Sequence, residues 1–187
     1  MSTPSFQFFP TRIPAVMTIE PRVFGDHRGC FLESWQRDKF AAGGVEATLV
    51  QDNLSESTQG TLRGLHYQIR QPQGKLVQVL AGEVFDVAVD LRQSSPTFGQ
   101  WVGERLSWQN KRLLWIPPGF AHGFYVLSPT ALFAYKCTEF YAPEQERTIA
   151  WNDPDLGIAW PLLPDLPPAL SPKDRAGVAF RCAEYYP

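Results

Sequence analysis

The chain has a nearly balanced charge and no long apolar run. Its 187 residues contain 17 lysines and arginines against 19 acidic residues, so the formal net charge is −2. A chain of this charge has no overall positive field to hold a nucleic acid or an anionic membrane surface. No uninterrupted apolar segment reaches the length of a membrane span. We therefore expect no nucleic-acid or membrane partner, and any phosphate must be bound by a few local residues.

Cysteine is also scarce. The three cysteines, Cys30, Cys137 and Cys182, form no Cys-x-x-Cys pair, and one of them is left over in any disulfide scheme. Free thiols are typical of a reducing compartment. Residues 1–21 are broken by proline every few positions and lack the basic start and apolar centre of a signal peptide. We expect a cytoplasmic protein with no cysteine-based zinc site.

Turn-forming residues, by contrast, are abundant and evenly spread. The chain has 14 glycines and 17 prolines, which separate short runs rich in β-branched and aromatic residues. These runs are residues 63–68, 76–91, 112–118, 123–128 and 131–141. Turn signals at such short spacing favour antiparallel connections over helical crossovers. The sequence therefore predicts an all-β sandwich or barrel in a single domain over residues 1–187.

Two short helices and a proline-rich tail complete the predicted organisation. Ser34 is a candidate N-cap for a helix over residues 35–42, and Ser171 precedes a proline and Asp174 in the pattern of a capped helix start. The segment from about residue 154 to 187 has too many prolines at its start for a long helix or a central strand. We expect this segment to wrap the outside of the sheets.

Strand alternation places polar side chains on shared faces. In the strand that contains His66, this residue shares a face with Gly64 and Gln68. The same count puts Tyr135 on one face with Tyr141. A strand face that carries polar groups is typical of a lined cavity.

Each candidate residue also has an ordinary structural interpretation. His66 and His122 could be hydrogen-bonded, half-buried strand histidines. Arg63 and Lys75 could be solvated cations, and Asp174 could act only as a helix cap. No single residue separates function from structure, so the functional hypothesis rests on their combination.

One motif indicates a jelly roll. Residues 117–122, Pro-Pro-Gly-Phe-Ala-His, resemble the second motif of the cupin jelly rolls, Pro-x-Gly-x-x-His. At the first motif, metal-binding cupins have His-x-His, whereas this chain has His66-Tyr67-Gln68 and so lacks one ligand. The sequence therefore predicts a cupin-like site without a metal.

Over nearly its whole length the chain resembles the dTDP-4-dehydrorhamnose 3,5-epimerase family. The matching segments, in order, are VFGDHRGCFLES, VQDNLSES, GTLRGLHYQ, QGKLVQVLAGEVFDVAVDLR, SSPTFGQWVG, LWIPPGFAHGF, YKCTEFYAPEQERTIAWNDPDLGI and LSPKD. The resemblance implies a cupin-like jelly roll that takes a dTDP-4-keto-6-deoxyhexose as substrate and inverts C3 and C5 without a cofactor. It also implies a homodimer with exchanged N-terminal strands.

The resemblance further implies a role for fourteen residues. Matched position by position, the catalytic base is His66, its orienting acid is Asp174, the proton donor is Tyr135 and the cation beside the enolate is Lys75. The implied nucleotide-sugar contacts are Arg28, Glu33, Gln51, Asp52, Asn53, Arg63, His122, Tyr141, Glu146 and Lys173. Tyr141 would stack on thymine, and strand exchange would carry Arg28 into the neighbouring subunit's site.

These residue types suit the chemistry. In a 4-keto sugar both C3–H and C5–H flank the carbonyl, so each centre can be inverted by removing a proton from one face and returning one to the other. Histidine titrates near neutral pH, and a carboxylate on its second nitrogen would fix its tautomer. A cation stabilises the enolate oxygen, and guanidinium groups suit the diphosphate. Because strict alternation separates Arg63 from His66, we expect a bulge or kink at Gly64.

Other functions remain open at this stage. A relative could invert a single centre of a dTDP-4-keto sugar or move its ketone. The same pocket could bind a sugar nucleotide without catalysis, although base, acid and donor are all in place. A metal-dependent cupin oxygenase is a third possibility, against which the missing His-x-His argues.

Overall fold

The computed structural model describes residues 4–187, which are almost entirely β. The domain expected over residues 1–187 and the N-terminal segment 1–21 both include residues 1–3, which lie outside the described part of the chain. Within residues 4–187 the strands are β1 (Phe6–Pro10), β2 (Met17–Pro21), β3 (Val23–Asp26), β4 (Gly29–Leu32), β5 (Gln51–Thr58), β6 (Leu62–Gln68), β7 (Lys75–Ala81), β8 (Glu83–Asp90), β9 (Trp101–Ser107), β10 (Leu113–Ile116), β11 (Phe120–Val126), β12 (Thr130–Cys137) and β13 (Glu146–Thr148). The helices are α1 (Arg37–Ala42), α2 (Pro172–Arg175) and the 3-10 turns Pro143–Gln145 and Phe180–Cys182.

The strands form two large antiparallel sheets and a hairpin. One sheet has the order β1-β2-β10-β7-β12-β5, and the other has the order β13-β6-β11-β8-β9. Strands β3 and β4 pair only with each other. The two large sheets pack face to face in a cupin-like jelly roll, so the predicted fold class is confirmed.

The main core lies between the inner faces of the two sheets. Val77 and Phe133 from the six-stranded sheet pack in one cluster with Ala88 and Phe124 from the five-stranded sheet. Phe124 stacks on Phe133 with ring centroids 4.3 Å apart. Burying these side chains supplies the hydrophobic free energy that holds the sheets together.

The outer face of the five-stranded sheet is covered by the C-terminal segment. Leu65 and Tyr125 on this face share a second cluster with Trp160 and other residues of the segment. The hydroxyl of Tyr67 donates to the Glu184 carbonyl over 2.7 Å. Because both of its faces are covered, β11 is buried along its whole length.

The helices agree with prediction at one end of the chain and differ at the other. Helix α2 has the predicted N-cap, Ser171, with a complete capping box. Helix α1 begins at Arg37, and its cap is the side chain of Gln36, which accepts from the Lys39 N–H over 2.6 Å. The predicted cap at Ser34 is therefore wrong. Trp35 lies before this cap and outside the helix, with its ring centroid 6.5 Å from that of Phe40.

Candidate functional site

A cavity of about 460 Å³ opens between the two sheets. Its size is that of a small-molecule binding site. Eleven of the fourteen predicted site residues line it: His66, Asp174, Tyr135, Lys75, Gln51, Asn53, Arg63, His122, Tyr141, Glu146 and Lys173. The wall also contains residues that sequence reasoning did not single out for the site: Ser55, Tyr67, Gln68, Gln73, Phe124 and Ser171.

A bulge in β6 brings two of these side chains to the same wall. His66 pairs with His122, but Arg63 pairs with Phe124, so the register shifts at Gly64. Gly64 has φ +130°, and a Cβ there would lie 2.5 Å from the Cα of Gly123. Only glycine fits so close to the neighbouring strand. The expected irregularity at Gly64 is confirmed, and both Arg63 and His66 face the cavity.

His66 lies against a buried carboxylate. Its Nε2 atom is 2.7 Å from Oδ1 of Asp174, whose side chain is only 3% exposed. The angle at Nε2 is poor for a hydrogen bond, so the contact is close without being well aligned. Oδ1 also accepts the backbone N–H of Gly64 over 3.1 Å. The orientation leaves Nδ1 as the ring nitrogen that does not face Asp174.

The second oxygen of Asp174 belongs to the helix cap. Oδ2 accepts the hydroxyl of Ser171 over 2.6 Å and its backbone N–H over 3.2 Å. Burial acts to raise the pKa of Asp174, but the contacts with His66, Ser171 and Gly64 outweigh it and hold that pKa well below its usual range. The carboxylate is therefore ionised at neutral pH.

The base candidate is neutral under the same conditions. Burial lowers the pKa of His66, and the positive charges of Lys173 and Lys75 act in the same direction. The opposing effect of Asp174 does not cancel them. A neutral imidazole at pH 7 can accept a proton.

Tyr135 and Lys75 lie across the cavity from His66, on β12 and β7 of the facing sheet. Burial raises the pKa of Tyr135, so its hydroxyl keeps its proton at neutral pH. Burial lowers the pKa of Lys75, while the groups of Cys137, Asp86 and Glu146 act to raise it. The ammonium group of Lys75 makes no hydrogen bond or ion pair with any other residue between positions 4 and 187. Its ammonium group is therefore available to a ligand.

A second histidine–aspartate pair lies deeper in the cavity wall. The Nε2 atom of His122 is 3.0 Å and 2.9 Å from the two carboxylate oxygens of Asp86, which is fully buried. Sequence reasoning missed Asp86. Its one visible signal is an acidic residue inside the apolar run of β8, where burial of a charge needs a partner.

The cavity mouth carries a chain of polar contacts. The hydroxyl of Tyr141 donates to Glu146 over 3.0 Å, and Lys173 pairs with the other oxygen of Glu146 over 2.8 Å. Gln51 accepts the backbone N–H of Tyr141 over 2.9 Å. Arg63 donates to the Ser57 hydroxyl over 3.1 Å. The mouth thus presents an aromatic ring beside cationic groups.

Three predicted contacts do not line the cavity. Arg28 pairs with Asp26 over 2.6 Å in the exposed β3–β4 hairpin. Glu33 pairs with Lys39 over 2.6 Å, and Asp52 points outward from β5 to pair with Lys136 over 2.8 Å. Asp52 faces away because its strand neighbours, at positions 51 and 53, face inward.

Two further features of residues 4–187 concern metals and membranes. No group of three or more histidine, cysteine or acidic side chains in this part of the chain is arranged to hold a metal ion. No helix in it is long and apolar enough to cross a membrane.

Comparison with known proteins identifies the family of this chain. The family model for dTDP-4-dehydrorhamnose 3,5-epimerase matches residues 10–181. The chain is 63% identical to the enzyme of that name from Pseudomonas aeruginosa over 176 residues, covering 94% of this chain and 96% of that protein. It is 56% identical to the Shigella flexneri enzyme over 178 residues, covering 94% and 97%. The chain is also similar to a crystal structure of dTDP-6-deoxy-D-glucose-3,5-epimerase from Legionella pneumophila in complex with dTDP-4-keto-L-rhamnose. The TM-score is 0.92 and the sequence identity is 55%, and the match covers 96% of this chain and 95% of that one. The chain therefore belongs to the dTDP-4-dehydrorhamnose 3,5-epimerase family.

Proposed function

We propose that this protein converts dTDP-4-dehydro-6-deoxy-D-glucose into dTDP-4-dehydro-L-rhamnose by inverting C3 and C5. The proposal rests on the arrangement of four side chains around the cavity. A neutral histidine held against an ionised carboxylate lines one wall of a cavity, and a protonated tyrosine and an unpaired lysine line the facing wall: His66 with Asp174, and Tyr135 with Lys75.

His66 removes the proton. The C–H bond next to the ketone breaks, its proton goes to Nδ1 of His66, and its electron pair moves into the enolate. Asp174 stabilises the imidazolium that forms. Lys75 stabilises the negative charge on the enolate oxygen, where a fixed cation in a buried site is most effective. The reaction needs no change of oxidation state.

Tyr135 returns the proton. Its hydroxyl lies across the cavity from His66, so it donates to the opposite face of the sugar ring and the centre is inverted. The resulting phenolate regains a proton from solvent, and the imidazolium of His66 releases its proton to solvent, so both groups return to their starting states before the second centre reacts. The same pair of residues serves C3 and C5 in turn, because both centres flank the one ketone.

The cavity mouth binds the nucleotide. Arg63 and Lys173 supply cations for the diphosphate, and the half-exposed ring of Tyr141 offers a surface on which thymine stacks. Binding energy from this remote part of the ligand holds the sugar against His66.

The decisive experiment is incubation with dTDP-4-dehydro-6-deoxy-D-glucose in deuterated water, followed by mass spectrometry and NMR of the sugar. Proton exchange at both centres adds two deuterons, with inverted configuration at C3 and C5. A single deuteron would instead indicate a one-centre epimerase, and no deuterium would indicate a protein that only binds the nucleotide sugar. His66→Asn, which keeps the pocket but not the base, is the control and should abolish incorporation.

We also propose that the active form is a homodimer. The β3–β4 hairpin exposes Val23, Phe24 and Phe31, the last of them 70% exposed, and pairs with no other strand. Such an apolar surface favours burial against another chain. Arg28 lies in the turn of this hairpin, so a second copy that accepted the hairpin would receive a cation suited to phosphate.

Mixed dimers test this arrangement. Arg28→Ala and His66→Asn homodimers should each be weakly active or inactive. If Arg28 serves the partner's site, heterodimers formed by refolding the two variants together contain one intact site and recover about half of the parent activity per dimer. If Arg28 acted within its own subunit, both sites would remain defective and no activity would return.

We assign the protein to the cytoplasm. Cys30, Cys137 and Cys182 are all free thiols, as expected in a reducing compartment. Fractionation of cells that express the chain should recover the enzymatic activity with cytoplasmic markers.

A further inference from the structure

Asp86 is a fully buried carboxylate whose placement the epimerisation steps above do not explain. Both of its oxygens lie within hydrogen-bond distance of one atom, Nε2 of His122, and its side chain accepts no other hydrogen bond within residues 4–187. An ionised carboxylate in such a place is costly unless a charged or hydrogen-bonding partner compensates it. A buried acid beside an active-site cavity is therefore expected to serve the site.

The strand register aligns Asp86 with the catalytic wall. On β11, Phe124 pairs with Asp86 of β8, and His122 pairs with His66 of β6. Directly paired residues share a face. A row of side chains therefore crosses three strands on the inner face, from Asp86 through His122 to His66. The stacking of His122 on Phe133, with ring planes 19° apart, restricts the orientation of the imidazole.

The contact with Asp86 determines which nitrogen of His122 carries a proton. When Asp86 is ionised its oxygens can only accept, so Nε2 of His122 donates to them. In the neutral ring Nδ1 then carries no proton, so the edge of His122 toward the cavity offers a hydrogen-bond acceptor. Without Asp86 the ring could adopt either tautomer.

Asp86 also adds negative charge beside Lys75. The charged or titratable groups that face Asp86 are His122 on β11, Lys75 on β7 and Glu104, which pairs with it on β9. Burial raises the pKa of Asp86, and His122 and Lys75 counteract this effect. The negative charge of Asp86 acts to raise the pKa of Lys75, against the effect of burial.

We propose that Asp86 is a positioning residue for epimerisation, which holds His122 in one orientation and one tautomer at the cavity wall and places a carboxylate on the side of the site that holds Lys75. The proposal rests on the proposed function, because the charge on Lys75 matters only if an enolate forms beside it. Asp86 itself does not line the cavity, so it acts through the two residues that do.

The pH dependence of Asp86→Asn tests the role in charge. Removing the carboxylate takes away a negative charge that raises the pKa of Lys75 against the effect of burial. The pKa of Lys75 should therefore fall, and the alkaline limb of kcat should move to lower pH by about 1 unit. The acid limb should stay in place, because the carboxylate in contact with His66 is that of Asp174, which the variant retains. Asp90→Asn is the matched control. It removes a second fully buried acid of β8, which is bound to Arg92, Ser95 and Thr97 away from the cavity, and should leave both limbs unchanged. An unshifted alkaline limb in a folded Asp86→Asn protein would refute the proposal.

A measurement on the unaltered protein covers the case in which Asp86→Asn does not fold. Nitrogen-15 NMR of the histidine rings should show His122 protonated at Nε2 at pH 7, and a ring protonated only at Nδ1 would overturn the proposal. This measurement needs no substrate, so its outcome is independent of whether the protein proves to be an epimerase.

Discussion

At the scale of single residues, Asp174 shows that a structural and a catalytic interpretation need not compete. Oδ2 closes the capping box with Ser171, and Oδ1 faces His66. The cap fixes the carboxylate in space, and the bulge at Gly64 adds an N–H that favours its ionised form. The helix α2 is one turn long, so its main contribution is to hold this side chain in place.

Replacing Asp174 by asparagine separates the two roles. Asp174→Asn keeps the size of the side chain but removes the charge that stabilises the His66 imidazolium, so deuterium exchange into the sugar should fall on the order of 10-fold or more. Ser171→Ala is the control. It removes the capping hydroxyl but keeps the charge of Asp174, so it should lower the free energy of unfolding by about 1 kcal/mol while exchange falls much less than in Asp174→Asn. If Asp174→Asn lost only stability, Asp174 would be a cap and nothing more.

Removing the hydroxyl of Tyr135 separates proton removal from proton return. Tyr135→Phe should still allow His66 to exchange deuterium on its own face of the sugar, while inverted product falls far more steeply than exchange. Mass spectrometry measures the first quantity and NMR of the sugar the second. A purely structural hydroxyl contributes only about 1 kcal/mol to stability, and its loss would leave both quantities unchanged.

The resemblance to a known family supplied the predicted site residues and their roles, and it missed a residue whose importance depends on a partner. A histidine in a strand and a capped acid are visible in the sequence, but their 2.7 Å contact depends on how the tail returns to β6. Asp86 was missed because its partner lies on a strand whose register the sequence does not give. The ion pair of Arg28 with Asp26 is likewise a property of the folded hairpin.

At the scale of secondary structure, the bulge in β6 was predicted because this one strand had to place both a phosphate-binding arginine and the catalytic base in the site. Strict alternation along the strand would put the side chains of Arg63 and His66 on opposite faces. A bulge at the glycine between them brings both side chains to the inner face. The start of α1 was not predictable in the same way. The sequence pointed to Ser34, whereas the side chain of Gln36 caps the helix, and Trp35 lies before this cap with its ring near that of Phe40.

The bulge makes Gly64 difficult to replace. In Gly64→Ala the new methyl group would lie 2.5 Å from the Cα of Gly123 and 2.9 Å from the carbonyl oxygen of His122, both backbone atoms that cannot move aside. We expect a loss of about 1–3 kcal/mol in the free energy of unfolding and a marked loss of exchange, because His66 and Asp174 shift apart. Chemical denaturation and the deuterium assay measure these effects.

Gly44→Ala is the matched control for this variant. Gly44 also has a positive φ, +91°, but a Cβ there meets nothing within 4 Å. It should therefore show only the cost of the backbone conformation, about 1 kcal/mol, with exchange unchanged. Equal losses in both variants would mean that the close approach of β6 and β11 is not what requires glycine at position 64.

At the scale of the whole molecule, two sheets supply opposite walls of one cavity and the tail closes the outer face of one sheet. The base and its acid belong to one wall, and the donor and the lysine belong to the other. Inversion needs groups on both faces of the sugar, so the space between the sheets is suited to it. Stability of the packed sheets therefore bears directly on the geometry of the site.

The acid stability of the fold depends in part on Asp90. Its carboxylate is fully buried and receives hydrogen bonds from Arg92 over 2.7 Å and from Ser95 and Thr97 over 2.6 Å each. Burial acts to raise its pKa, but these bonds outweigh it and lower that pKa to about 2. A folded-state pKa below the unfolded value of 3.8 means that the contribution to stability is complete above about pH 4 and is lost as the pH falls toward 2.

Asp90→Asn should therefore destabilise the protein by an amount that depends on pH. At pH 7 we expect a loss of about 1–3 kcal/mol, because the hydrogen-bond donors of Arg92, Ser95 and Thr97 lose a charged acceptor. Urea denaturation at decreasing pH should show the difference from the parent protein shrinking below pH 4, where Asp90 of the unfolded parent chain begins to take up a proton while the folded protein keeps it ionised. Asp38→Asn provides the comparison, since its ion pair with Arg37 is exposed and its loss should change stability little at any pH. A difference for Asp90→Asn that stayed constant down to pH 3 would mean that the cluster stabilises the fold through shape and neutral hydrogen bonds, with no contribution from the charge.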